Sequence, residues 1–160
     1  MSSKNAAPNK ILITSVDGPK VTVMTQYNPK EIGIDKAVPW QKKPNSKGNT
    51  PELEFTSADG RSLSVELFFD TYETGSNVHD KHVANLMKLA MVIQEGGTDE
   101  SKMRPPLLSI TWGGLPKFIG VLESVSTKYT MFTPAGVPVR ATCSCKFKEA
   151  SGVSFKKGAT

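Results

Sequence analysis

Gly136-Val137-Pro138-Val139-Arg140-Ala141-Thr142-Cys143-Ser144-Cys145-Lys146-Phe147-Lys148 alternates without a break. Val137, Val139, Ala141, Cys143, Cys145 and Phe147 fall on one side, and Pro138, Arg140, Thr142, Ser144, Lys146 and Lys148 on the other. A period of two over such a length specifies a β-strand with one face in a core and the other toward water or a neighbour. Working back from it, three further extended runs appear at Leu107 to Trp112, Lys117 to Val125 and Thr127 to Phe132, after a break at Pro105-Pro106. Trp112 continues the face of Leu108 and Ile110 and is read as core.

Further upstream, Ser62 to Leu67 alternates as well, placing Leu63, Val65, Leu67 and Phe69 on one face, while Phe68 on the other predicts a strand end covered on both sides. Val83, Leu86, Met87, Ala90 and Ile93 mark one strong amphipathic helix, His79 to Gln94, with Ser76, Asn77 and Asp80 as candidate caps and Gly96-Gly97 as its stop. Lys10 to Val16 and Val21 to Tyr27 flank Asp17-Gly18-Pro19 and read as a hairpin, which Asn28-Pro29 ends. Val38 to Pro51 is polar, basic and rich in Pro, Asn and Gly around the lone Trp40; it reads as a long loop, of the length that usually carries function.

The expected fold is therefore mainly β with one α-helix, an antiparallel barrel or sandwich flanked by that helix. It occupies residues 10–150, between a flexible arm at 1–9 and a loosely held tail at 151–160. The chain has 160 residues and a formal charge of +5, enough for one core without staples. The N-terminal stretch lacks the apolar run of a signal peptide, and no segment reaches the roughly 20 apolar residues of a spanning helix, so synthesis as a soluble cytoplasmic chain is expected.

Several chemistries are weighed and set aside. Cys143 and Cys145 cannot form a disulfide framework, and as i and i+2 neighbours on a strand they stand about 7 Å apart, too far to share a tetrahedral zinc with His79 and His82. They read as core residues, and the histidines at the helix start as solvated side chains or polar contacts. No nucleophile elbow and no phosphate-binding glycine loop occurs, so neither a catalytic residue nor a cofactor or metal ligand is assigned. Lysines at 42, 43, 47, 146, 148, 156 and 157 admit a nucleic-acid-binding β-barrel as an alternative, although no interleaved aromatics accompany them.

Four segments, in this order and spacing, resemble one family: Tyr27-Asn28-Pro29 followed by Trp40-Gln41; Leu67-Phe68-Phe69-Asp70-Thr71-Tyr72; Pro105-Pro106 with Ile110-Thr111-Trp112-Gly113; and Tyr129-Thr130-Met131-Phe132 leading to Gly136 through Ala141. About residues 10 to 150 resemble the N-terminal, tail-tube-like domain of contractile injection system tube proteins, the adaptors of the antifeeding-prophage and Photorhabdus-virulence-cassette kind. The resemblance implies a phage tail-tube-like fold and a non-enzymatic structural subunit. It implies a homohexameric ring that joins a VgrG-like spike to the inner tube protein or to a second tube-initiator ring, initiates the tube and contacts baseplate proteins. The main inner tube protein of the same particle is the alternative. The particle would be assembled in the bacterial cytoplasm, with release possible later. Family members often continue into a LysM domain; this chain stops at Thr160, which leaves the baseplate attachment that a LysM module is expected to provide either in doubt or supplied by a separate protein.

Candidate interface residues are Tyr27, Asn28, Pro29, Trp40, Asp70, Thr71, Tyr72, Tyr129, Phe132, Pro138 and Arg140. Trp40 is either an anchor on the barrel or a neighbour, or a core residue. Asp70 either serves an interface or caps nearby backbone N–H groups. Arg140, pointing away from the core, either meets a carboxylate across an interface or is solvated. The polar face that carries Arg140, Thr142, Ser144, Lys146 and Lys148 suits the wall of a wet channel.

Overall fold

In a computed structural model, residues 10–45, 47–92 and 104–152 are described. Nine strands are present among them: β1 Leu12–Ser15, β2 Thr22–Met24, β3 Ile32–Lys36, β4 Trp40–Lys42, β5 Leu53–Phe55, β6 Arg61–Asp70, β7 Leu108–Thr111, β8 Phe118–Phe132 and β9 Pro138–Glu149. A π-helical turn, His79–Val83, runs into the single α-helix, α1, Ala84–Lys88. The protein is mainly antiparallel β, as the alternating patterns predict, and its one helix is shorter than the expected His79 to Gln94, since residues 89–92 are described and are not helical. The expected arm at 1–9, most of the tail, and the Ile93 to Gly97 end of the expected helix lie outside the described residues.

Seven strands form one sheet in the order β2-β1-β7-β8-β9-β6-β3. Backbone pairing does not close it into a barrel. Instead the Gln26 side-chain amide, just past β2, donates to the Asp70 carbonyl and accepts from the Asp70 N–H, both at 2.8 Å. One side chain thus ties the β2 edge to the end of β6. A sheet curled in this way encloses its core without a continuous ladder.

The core follows the period-two reading. Leu63, Val65, Leu67 and Phe69 of β6 and Val139, Ala141, Cys143, Cys145 and Phe147 of β9 are buried. Val83, Leu86 and Leu89 close over them from the helix. Each large side chain so buried contributes about 1.5–3 kcal/mol.

Three expectations change. The runs Lys117 to Val125 and Thr127 to Phe132 are one strand, β8, which keeps its pairing to β9 through register shifts between Leu122 and Ser124 and near Tyr129 to Phe132. The extra residues restore alternation after each slip, so sequence reading sees two strands where the chain has a bulged one. The Val38 to Pro51 segment is not all loop: β4 lies within it and pairs with β5, Trp40 opposite Phe55, as a separate two-stranded hairpin. His82 is not a solvated histidine; it stacks on Phe69 with ring centroids 4.9 Å apart, and burial holds its pKa below the usual value.

Two glycines set the fit of the long strands. A Cβ on Gly120 would lie 2.1 Å from the Lys148 carbonyl oxygen, so only glycine lets β8 approach β9 there. Gly136, at φ 86°, supplies the left-handed residue of the β8–β9 turn.

Candidate assembly surface

The register lines up the polar face of β3, β6, β9 and β8 in transverse rows. Gly33, Ser64, Lys146 and Ser124 form one row; Glu66, Ser144 and Ser126 the next; Phe68, Thr142 and Lys128 the one after; Asp70, Arg140 and Met131 the last. Ser64, Ser124, Ser126, Ser144 and Thr142 share these rows with the charged side chains of Glu66, Lys128, Lys146, Asp70 and Arg140. A groove of about 980 Å³ runs along this face, lined by Ser64, Glu66, Ser124, Ser126, Ser144 and Lys146, with residues 27–31 as one wall.

The four strands leave two edges open. β9 flanks β8 along its length, but β7 pairs with it only from Phe118 to Gly120, so among the described residues the other edge of β8 has no strand partner from Val121 to Phe132. β3, likewise, pairs only with β6. Because β3 is antiparallel to β6, β6 to β9 and β9 to β8, the two open edges run in opposite directions. Open edges present unpaired backbone donors and acceptors, which a folded protein covers or pairs.

Six of the sequence-nominated residues gather at the Asp70 end of this sheet. Asp70 Oδ1 accepts the Tyr72 N–H at 2.8 Å, while Oδ2 accepts from Arg140 Nε and Nη2 at 3.1 and 2.9 Å. These donors, the Tyr72 N–H first, hold the carboxyl below the usual carboxylate range. Asp70 is therefore a local cap and an ion-pair partner at once, and Arg140 finds its carboxylate within its own chain. The Arg140 guanidinium also lies 5.8 Å over the Phe68 ring, whose other neighbour is Tyr27 at 5.8 Å. Tyr27, Asn28 and Pro29 line the groove beside it.

The remaining nominated residues do not join this cluster. Thr71 is buried and holds a turn: its N–H donates to the Val139 carbonyl at 2.7 Å and its hydroxyl to the Ser76 carbonyl, so it offers nothing to a neighbour. Tyr129 is half-buried on the core side, its hydroxyl against His79 Nδ1, and burial raises its pKa. Phe132 and Pro138 pair near the tip of the β8–β9 hairpin. Trp40 sits on the separate β4–β5 arm, 55% exposed, its ring 5.5 Å from that of Phe55, itself 56% exposed. It is exposed and is not a core residue. This arm leaves β3 at Lys36, which pairs with Arg61, so it emerges at the opposite end of β6 from Asp70.

Sequence reading missed Phe68 as a surface residue, and Gln26 altogether. Phe68 breaks the polar side of an alternating strand, which marks it, but it is 39% exposed rather than covered. A lone glutamine after a strand carries no such mark.

Cys143 and Cys145 are buried thiols; burial raises both pKa values, that of Cys145 to about 12. Among the described residues no three or more His, Cys, Asp or Glu side chains converge in a way that could hold a metal ion, and no helix is long and apolar enough to cross a membrane.

The described residues thus form a small sheet with a polar face, two open edges and a projecting aromatic arm. The chain belongs to the contractile injection system tube protein family, whose model matches residues 8–156. No curated protein matches it. Among solved structures it is similar, at 14% identity and a TM-score of 0.41, to a chain from the tail of an empty GTA particle computed with helical refinement and C6 symmetry. That similarity covers 91% of this chain and 95% of the other.

Proposed function

We propose that this chain is a non-enzymatic ring subunit of a contractile injection particle. Six copies close head to tail, and the ring joins a VgrG-like spike to the inner tube and starts tube assembly. The observation that carries the ring is the pair of open edges. Placing β3 of one copy against the distal half of β8 of the next continues the antiparallel alternation already present within the subunit. A contact between two different patches of identical chains closes into a ring when the rotation permits. The serine-rich face then faces the channel, where short hydroxyl groups stay wet and offer little to adhere to.

The junction position is supported by the resemblance of the four sequence segments and by the unlikeness of the two ends of β6. One end carries the Trp40 arm with Lys42, Lys43 and Lys47; the other carries exposed Tyr27 and Tyr72 around Phe68 and Arg140. A ring between two dissimilar neighbours needs two dissimilar ends. A nucleic-acid groove is less well supported, because Lys146 and Lys128 share the face with Glu66. Absolute quantification of subunits in purified particles tests the position. Six copies per particle fit the junction, whereas a number that scales with tube length makes the chain the main tube protein.

A further inference from the structure

The two open edges have a fixed parity. Asp70 bonds Gln26 through its own N–H and carbonyl, while the Thr71 N–H donates to the Val139 carbonyl. Even-numbered residues of β6 therefore bond toward β3 and odd-numbered ones toward β9. Carried through the pairings, Gly33 and Asp35 bond to β6, and Ser124, Ser126 and Lys128 bond to β9. Ile32, Ile34 and Lys36 are left to direct their backbone groups out of one edge, and Val125, Thr127 and Tyr129 out of the other. All six also lie on the core side of the sheet. Ile34 is exposed there and Ile32, Val125 and Tyr129 are half-buried, so each edge carries apolar surface that its own chain leaves uncovered.

We infer that β3 of one copy meets β8 of the next in a single register, with Ile34 opposite Val125 and Ile32 opposite Thr127. The inference rests on the head-to-tail reading above and adds the residue pairs that specify the contact. Antiparallel pairing then sets Gly33 opposite Ser126, Glu31 opposite Lys128, and Lys36 near Glu123. These four charged side chains are exposed, and among the described residues none forms an ion pair within its own chain. Opposite charges facing each other across a ladder favour a register, and like charges oppose it. The alternatives are poorer. A slip of one residue would turn Ile34 onto the polar face. A slip of two sets Ile34 opposite Thr127, removes both charge pairs and leaves Lys36 against Val125. A slip of four pairs Asp35 with Lys128 but lays β3 across the irregularity between Tyr129 and Met131. Sliding the other way brings Ile34 to Glu123, at the shift between Leu122 and Ser124.

Paired cysteines in purified particles read the register. Gly33→Cys/Ser126→Cys puts two thiols at a non-hydrogen-bonded pair, where Cα atoms about 4.5 Å apart are within disulfide reach. A side chain at Gly33 meets nothing nearer than the Ser64 carbonyl oxygen at 3.9 Å, and the native Cys143 and Cys145 are buried. Mild oxidation should give an interchain ladder on a non-reducing gel for this pair, and none for Asp35→Cys/Ser126→Cys or Asp35→Cys/Lys128→Cys. A ladder strongest in either of the other two pairs would overturn the register and leave the edge contact standing. Silence of all three would overturn the edge contact itself. Charge exchange gives a second readout that needs no disulfide. Glu31→Lys should lower the chain recovered in particles several-fold, and adding Lys128→Glu should restore it. No effect of Glu31→Lys, or a loss that Lys128→Glu does not repair, would overturn the register.

Discussion

Asp70 illustrates how much one side chain organises here. Its backbone receives Gln26, its carboxylate receives Tyr72 and Arg140, and through Arg140 it steadies Phe68. Because the pair is partly solvated, its worth is modest. Asp70→Asn should lower unfolding stability by about 1 kcal/mol in a denaturant titration, with Asp70→Asn/Arg140→Ala costing little more, since the two groups act together. Gly120→Ala should cost more, roughly 3 kcal/mol or outright misfolding, because the new Cβ meets the Lys148 carbonyl oxygen, a backbone atom that cannot turn aside.

Two pH windows follow from residues of opposite charge type. His82 is held below its usual pKa by burial, first, and by Lys81. Its neutral form is the one the fold accepts, so stability is full above the unfolded histidine pKa of about 6.5 and declines as pH falls below it. The carboxyls of Asp17, Asp70 and Glu149 are lowered, chiefly by Arg104, the Tyr72 N–H and Arg61 respectively. Their contribution is present above the unfolded carboxylate range, about pH 4, and is lost as pH falls through the lower folded values. Melting temperature against pH should therefore fall in two stages, and His82→Phe should flatten the first while leaving the second. A profile unchanged by His82→Phe would contradict the burial argument.

At the scale of elements, the β4–β5 arm is where packing and assembly part company. A lone two-stranded hairpin is marginal in water, and this one is held by the Trp40–Phe55 pair and an exposed Lys43–Glu52 bridge worth at most about 1 kcal/mol. Neither aromatic reaches the core. Trp40→Ala/Phe55→Ala should leave the global unfolding midpoint almost unchanged yet reduce incorporation into particles several-fold, measured by pull-down and immunoblot of assembled material. A large drop in the midpoint would place the arm in the fold instead.

The strands also show what sequence can carry. β9 and β6 were legible because each keeps a strict period of two for most of its length, and burial follows that period residue by residue. β8 was split because bulges reset its phase, and periodicity cannot tell a bulge from a turn. β4 went unseen because three exposed residues beside Pro39 and Pro44 hold no buried face to alternate. The interface was legible only in part. Tyr27, Asp70 and Arg140 could be nominated from the sequence, but their meeting around Phe68 depends on the pairing of β6 with β9 and on the Gln26 clasp. Both are long-range facts that no local pattern encodes.

At the scale of the whole molecule, two open edges and one polar face are what the fold leaves unpaired. The helix, the core and the curl of the sheet hold β3 and the distal half of β8 apart, running in opposite directions, with the serine rows between them. Such a subunit has a stable interior and an incomplete perimeter, which is what a ring-forming part requires. The most direct test is a cryo-electron microscopy reconstruction of the purified particle at side-chain resolution. Six copies of this chain are expected around the tube axis, with β3 of each hydrogen-bonded to residues 123–132 of the next and Ser64, Ser126 and Ser144 facing the channel. Copies lying off the axis, or on it with both edges facing solvent, would contradict it.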